Sequence, residues 1–553
     1  MGARRAQGGR WWHFVAIVGL VALAYAGSLG GAFVSDDTVT VVRNEVIRGL
    51  DGAHLVRIAT TFDDANYIPV KVLSVAIDYH FWELDPVGHH LTNVLIHIGC
   101  ALLVYLVLRR LQASGGAALA VALLWALHPL QVESVAWISE RKNVLSGLFF
   151  FATFYVYLGF RARGGVARYL VLVLLYVLAL LSKMNTVVLP ALMLAFELAW
   201  HYRIPRGIVR ATVPLFVLGA VVVAYNLYGN PMHGTEWHGG SPIVTWLSSA
   251  VVVFRYLAAV VVPTGLAPRY DVLLRGGLLD PPVLASVIAL TLLVLTTLWL
   301  IVRRRREAFW LAWFFICLGP MLNVIPFRGM MHDRFMYLPL LGPIALVVTW
   351  IDARVRTARR RRLAAIVTSL VVVLVGALTV RQVEIWDSAF SLWRAEATVA
   401  AFVAHEPGRP IPDHAAKRAF LAEAVASRPS SAIAHNNHAA MFYAEGRVRK
   451  ALPGFERAAT LAPAHPNILV NLGRAYAALD RDSEAEVLLA RAADLDRYRV
   501  HTHLYLARLR LARRDAEGAA AALGDAEALL SEETAARAFA RERAALEELS
   551  GGR

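Results

Sequence analysis

Apolar residues in this chain come in long blocks separated by short polar stretches. The blocks stand near 12–34, 91–108, 117–136, 144–160, 169–182, 186–200, 211–228, 246–262, 283–302, 308–326, 335–351 and 363–380. A helix needs about 20 apolar residues to cross a bilayer, so these predict membrane helices, several of them short. Basic clusters punctuate the blocks at 109–110, 161–168, 203–210, 303–306 and 354–362. Cytoplasmic loops gather Lys and Arg, which assigns all five clusters to one side. Most intervals between clusters then fit an even number of crossings. The interval from Arg210 to Arg303 holds three apolar blocks, so one is expected to be re-entrant or to lie along the interface. The block 246–262 is the candidate, because Pro263, Gly265 and Pro268 follow it. Residues 67–82 are too few to cross and carry Lys71, Asp78 and His80 among apolar neighbours, which predicts an amphipathic interfacial helix.

Beyond about residue 395 the pattern changes to alanine-rich, charged helix with an internal period. Aligned at thirty-four residues, Ala439, Gly473 and Ala507 fall together, as do Ala451, Ala485 and Ala519. Phe455, Leu489 and Leu523 form a third set, and Ala458, Ala492 and Ala526 a fourth. Small residues sit where two helices cross closely and large ones where a unit buries its inner face, which is the tetratricopeptide period. Repeats are expected near 432–465, 466–499 and 500–533, with a degenerate unit before them and a capping helix after. The fold expected is therefore all-α: a polytopic transmembrane helical bundle over 1–395, then a tetratricopeptide-repeat α-solenoid over 396–553.

Composition agrees with a membrane chain. Of 553 residues, 58% are hydrophobic, too many and too clustered for a soluble globule. The formal charge of +15 lies largely in the cytoplasmic clusters, so topology explains it and nucleic acid is not an expected partner. The two cysteines, Cys100 and Cys317, sit inside apolar blocks and form no disulfide framework. Arg4, Arg5 and Arg10 before the first block resemble a signal peptide, but the apolar run continues to Val34, which reads as a retained anchor.

With that topology, the loops 35–66, 131–143, 182–185, 229–245, 263–282 and 327–334 share one outer side with the repeats. Candidate chemistry collects there. Asp36 and Asp37 open the first outer loop, where a base facing a lipid-borne substrate would sit. Arg141, Lys142, Lys183, Arg328 and Arg334 lie at outer loop edges, where a lipid phosphate would meet them. The other occupation open to each is a headgroup, or an internal acid such as Glu133 or Asp333. His90, Asn93 and His97 share one face of a helix and serve either as metal ligands with Asp37 or as hydrogen bonds between helices, the commoner role. His332 and Asp333 are further polar candidates. The chain has no Walker loop, dinucleotide glycine pattern or HExxH, which disfavours ATP-driven transport and zinc proteolysis.

At Asp36-Asp37, His90-Leu91-Thr92-Asn93, the stretch His128 to Asn143 (HPLQVESVAWISERKN), Leu181-Ser182-Lys183 and His332 to Pro339, the chain resembles the GT-C superfamily of polyprenyl-phosphate-sugar-dependent glycosyltransferases. Within it, the likeness is greatest to the transmembrane and tetratricopeptide-repeat O-mannosyltransferase-like proteins and their bacterial relatives. The resemblance implies an essential acid in the first outer loop, here Asp36 or Asp37, that deprotonates an acceptor hydroxyl. It implies a sugar, mannose among the candidates, carried on polyprenyl phosphate, and transfer with inversion. It implies an acceptor protein or glycan held through the repeats, in a multi-pass protein of the cytoplasmic membrane with extracytoplasmic repeats. No cofactor is assigned with certainty, and assistance by a divalent cation stays open. Two other readings use the same architecture: a scaffold recruiting partners through its repeats, and an exporter of lipid-linked sugars.

Overall fold

The computed structural model describes residues 11–63, 66–229, 237–270, 272–327, 329–399, 401–402, 404, 414–530 and 532–551. Helices form in the apolar blocks because backbone groups inside hydrocarbon must pair within their own segment. In chain order they are α1 (Trp11–Tyr25), α2 (Gly52–Thr60), α3 (Pro69–Trp82), α4 (Pro86–Arg110), α5 (Gly115–Ala126), α6 (Val132–Ala136), α7 (Arg141–Arg163) and α8 (Val166–Ser182). Then follow α9 (Leu189–His201), α10 (Arg206–Tyr228), α11 (Pro242–Val261), α12 (Pro281–Val302), α13 (Glu307–Leu318), α14 (Leu341–Arg354) and α15 (Ala358–Val383). Starts are marked locally: the Asp85 carboxylate caps α4 just ahead of Pro86, and the Ser114 hydroxyl caps α5. Among the described residues no strand forms; one bridge joins Asp63 and Asn66.

Eight of the described helical stretches are long and apolar enough to cross a membrane, nine if the bent pair around His128 is one span. The expected blocks are thus helical but unequal in length. Their basic ends come together. Ser114 Oγ donates to Asp352 Oδ1 at 2.8 Å, Arg306 reaches Gln112 at 3.4 Å, and the Arg306 guanidinium lies 5.4 Å from the Trp200 ring centroid. That joins the α4–α5 turn, the C-terminus of α9, the α12–α13 turn and the C-terminus of α14 at one end of the bundle.

At the opposite end, α11 donates from Thr245 to His238 O and from Trp246 to Asn323 O near its start, and meets His128 and His332 near its finish. Helix α11 is itself one of the eight stretches long and apolar enough to cross a membrane. Three neighbouring helices are short: α5 and α13 have 12 residues and α14 has 14. At 1.5 Å per residue they reach only about 18–21 Å, against about 30 Å of hydrocarbon. The polar turns that follow α5 and precede α14 therefore begin within less than a full span's length of the helix's other end. Residues 67–82 supply a helix, α3, with Lys71, Val72, Val75, Ala76 and Asp78 buried and Ile77, Phe81 and Trp82 exposed.

The solenoid leaves from the same end as the first outer loop: Ala32 N donates to Asp387 O at 2.8 Å, and Trp386 stacks on Trp137 at 5.2 Å. It contains α16 (Ala389–Val399), α17 (His414–Ser427), and the pairs α18 (Ala432–Ala444) with α19 (Val448–Leu461), α20 (Pro466–Ala477) with α21 (Asp482–Leu495), and α22 (Val500–Ala512) with α23 (Ala516–Glu527). Helices α24 (Glu532–Ala538) and α25 (Ala540–Gly551) follow. The residues aligned by period are buried in all three pairs, Phe455, Leu489 and Leu523 among them. The third pair seats on the membrane part, with Tyr498 against Gly239 and Gly276.

Gly473 marks the closest helix crossing, since a Cβ there would lie 2.9 Å from Leu489 Cγ and 3.2 Å from Ala485 O. Gly473→Val is expected to overpack α20 against α21, costing roughly 1–3 kcal/mol. A drop in the solenoid's melting midpoint, followed by calorimetry of the full chain, checks this.

Candidate functional site

Between α5 and α7 the helix is broken repeatedly. A 3-10 turn covers Pro129–Gln131, α6 is 5 residues long, and a second 3-10 turn covers Ile138–Glu140 before α7 begins at Arg141. Backbone this irregular at membrane depth persists only where protein satisfies it. Every residue from His128 to Arg141 is buried. The stretch read as an outer loop, 131–143, is therefore an internal wall. Consecutive residues of its last turn point to different neighbours.

Ser139 serves the first outer loop. Its backbone N–H donates to Asp37 Oδ1 at 2.8 Å, its hydroxyl donates to the same oxygen, and Val34 N donates to Asp37 Oδ2 at 3.0 Å. Asp37 is 0% exposed. Burial pushes its carboxyl up to about 6, against the downward pull of these hydrogen bonds. Asp36 is half-buried and receives Ser35 Oγ only at 3.5 Å. The acid pair is thus unequal, one carboxylate enclosed and the other half-buried.

Glu140 is the hub of a second group. Its Oε1 pairs with Lys142 Nζ at 3.1 Å and Arg334 Nε at 3.4 Å, and its Oε2 lies 3.8 Å from Lys183 Nζ and accepts from Asn143 Nδ2 at 2.6 Å. Lys183 also donates to Asn143 Oδ1 at 2.5 Å. Arg334 donates its backbone N–H to Glu133 Oε2 at 2.8 Å and its guanidinium to Glu133 Oε1. Three cations face two carboxylates, and their exposure is uneven. Lys142, Lys183 and Arg334 side chains keep 18%, 15% and 18% of their surface, while Glu140 and Glu133 keep 1% and 2%. The accessible side of the group is cationic, with the acids behind it. Burial lowers Lys183 to about 8, which leaves it mostly charged at neutral pH. Such a surface is complementary to an anion held at a membrane boundary.

Other predicted residues fall elsewhere. Arg141 is a correction: the side chain is not at a loop edge but 0% exposed. It pairs with Asp78 and donates to Asn93 Oδ1 at 2.7 Å, His89 O at 2.7 Å and Ser74 O at 3.3 Å, so it ties α7 to α3 and α4 and does not reach the cationic surface. Asn93 also donates to the carbonyls of Val135 and Trp137 at 3.2 and 3.3 Å. His97 meets Tyr337 Oη at 2.8 Å and Ala126 O at 3.0 Å. These are bonds between helices. His90 is buried beside Gly31. The backbone of His332 exchanges hydrogen bonds with Tyr256 Oη at 2.8 and 2.9 Å, and burial lowers its ring to about 3. Asp333 accepts from Tyr270 Oη at 2.6 Å, and burial raises it well above the usual carboxylate range. Arg328 lies outside the described residues. Among the described residues, no group of three or more His, Cys, Asp or Glu is arranged to hold a metal ion.

Sequence reasoning missed Ser139, Glu140 and Asn143 as organisers, although all three stand in the stretch that carries the resemblance. Their signal was a run of polar residues between two apolar blocks, which a surface loop shows equally well.

Residues 442–502 match the family described as Tetratricopeptide repeat. The chain is similar to human Protein O-mannosyl-transferase TMTC4, 32% identical over 164 residues, 26% of this chain and 22% of that protein. It is similar to a Protein O-mannosyl-transferase of Caenorhabditis elegans, 24% identical over 233 residues, 40% of this chain and 33% of that protein. It is also similar to human Protein O-mannosyl-transferase TMTC3, 29% identical over 154 residues, 26% of this chain and 16% of that protein. The aligned region thus spans from 16% to 33% of the length of these relatives. The likeness is to transmembrane, tetratricopeptide-repeat O-mannosyltransferases.

Arg141 and Asp78 form a buried pair, and removing one partner leaves the other charge uncompensated. Arg141→Met is expected to cost roughly 3–5 kcal/mol, and the double change with Asp78→Asn to recover part of it. Thermal unfolding of the detergent-solubilised chain measures both.

Proposed function

We propose that this chain is an integral-membrane glycosyltransferase that moves a sugar from a polyprenyl-phosphate carrier to a hydroxyl of a protein or glycan acceptor. The likeness to protein O-mannosyl-transferases is the premise, and it makes mannose the first candidate sugar. The observation that supports the reading most is the partly exposed cationic surface of Lys142, Lys183 and Arg334, backed by Glu140 and Glu133. Glu140, at its centre, is the residue after Ser139, which holds the acid loop. Acid and cations are therefore supported by one turn.

Asp36 takes the proton of the acceptor hydroxyl. The freed oxygen pair forms a bond to the anomeric carbon, the bond from that carbon to the phosphate oxygen breaks, and its electrons leave with the polyprenyl phosphate. The leaving group gains negative charge, which Lys142, Lys183 and Arg334 stabilise. Attack opposite the phosphate inverts the centre. Asp37, enclosed by Val34 and Ser139, positions the loop rather than touching the substrate. The short helices α5, α13 and α14 leave room at this end for the isoprenoid chain beside the site. The repeats, which leave from this end, hold the acceptor outside the cytoplasm.

Asp36→Asn is expected to reduce transfer by about 10²–10⁴-fold while the chain still inserts and its repeats stay folded. Mass spectrometry of O-linked sugars released from exported proteins of an expressing strain reads the product; undiminished product would remove Asp36 as base.

The pH profile follows from Asp37. With its carboxyl raised to about 6, Asp37 is ionised above that value and accepts both N–H groups; below it, protonation weakens their hold on the loop. Transfer should therefore rise with pH through about 6. A limb near 4 instead would assign the control to Asp36 alone.

A further inference from the structure

The first helices of adjacent repeats carry asparagines one period apart, Asn437 on α18 and Asn471 on α20. Both are buried, as are Asn436, Asn467 and Arg474. All five side chains turn to a short piece of this chain's own backbone after α16. Phe402 N donates to Asn437 Oδ1 at 3.0 Å, and Ala404 N donates to Asn471 Oδ1 at 2.8 Å. In the other direction, Phe402 O accepts from Asn471 Nδ2 at 2.7 Å and Asn436 Nδ2 at 3.1 Å. Ala401 O accepts from Asn467 at 2.7 Å, Ala397 O from Asn437 at 2.6 Å, and Ala404 O from Arg474 Nη1 at 2.5 Å. Tyr443 and Tyr505 flank the Arg474 guanidinium, with ring centroids 5.0 and 4.4 Å away.

Every one of these bonds goes to a main-chain atom. A carboxamide offers an acceptor and two donors, so an asparagine at a repeated position matches the alternating N–H and C=O of an extended peptide whatever its side chains. Three of the four residues held are alanines, and their small side chains are buried, Ala401 in a cluster with Ala458 and Ile468 and Ala404 in one with Ala439 and Tyr443. Buried amides left without partners are costly, so this face needs a backbone in it, and the small buried side chains at Ala401 and Ala404 are ones that another polypeptide can also supply.

We propose that the inner face of the repeats is a binding site for extended polypeptide, and that Ala401, Phe402 and Ala404 occupy it in cis until an incoming chain displaces them. The proposal deepens the acceptor-holding part of the function above and names its recognition: main chain rather than sequence. A tethered occupant competes at an effective concentration on the order of millimolar, so only a polypeptide delivered locally or in excess gains entry. Occupancy in cis thus sets a threshold on acceptor engagement.

The test uses the full chain in detergent micelles, without donor, and a fluorescein-labelled synthetic peptide of sequence EATVAAFVAHE, which copies residues 396–406. The double change Phe402→Pro and Ala404→Pro removes both backbone donors from the cis segment. It is expected to tighten peptide binding by at least about tenfold in fluorescence anisotropy. Adding Asn471→Asp, which keeps the size but removes the amide donor, should abolish that gain. On the unaltered chain, excess unlabelled peptide should speed hydrogen exchange at the amides of Phe402 and Ala404. Equal binding with and without the proline changes, a gain that survives Asn471→Asp, or exchange unaffected by peptide would each overturn the proposal. The same binding measured on Asp36→Asn separates it from transfer: loss of product with binding intact bears on the base, not on the groove.

Discussion

The polar end of the membrane part depends on the Glu140 carboxylate. An ionised carboxylate with 1% of its surface exposed is sustained only by close countercharges, and Glu140 has Lys142, Lys183 and Arg334. Those cations come from three separate segments: the start of α7, the break before α9, and the turn before α14. Drawing them to one carboxylate fixes where three helix ends meet. Because Glu140 follows Ser139, the same turn also fixes the loop of Asp36 and Asp37.

The architecture around that turn follows from helix length. Full-length helices would carry their polar ends out to water, whereas α5, α13 and α14 stop early and lower a polar wall into the apolar layer. Buried charges at such depth are expensive, which is why each is multiply bonded and why the pairing of Arg141 with Asp78 lies on the far side of the same turn. Around Glu140, partial exposure falls to the cations and not to the acids.

The repeats show the same economy on a different scale. Their outer packing follows the thirty-four-residue period and uses alanine, glycine and leucine. Their inner face instead spends asparagine and arginine on main-chain atoms, a use of polar residues that packing alone does not call for.

Much of this was legible in the sequence. Block length specifies the helices, 246–262 among them, which forms within α11. The period specifies the helix pairs down to Phe455, Leu489 and Leu523. These properties depend on local spacing and on the solvent each residue prefers, which a linear pattern carries. The partners of ionic residues do not. Arg141 and Lys142 are neighbours in an apparently uniform polar run, yet one is enclosed against Asp78 and the other faces outward. Asp36 and Asp37 divide in the same way. A helix start rotates successive side chains by about 100°, so adjacent residues meet different surroundings, and only the packing of distant segments decides which charge is enclosed and which is left to meet a ligand.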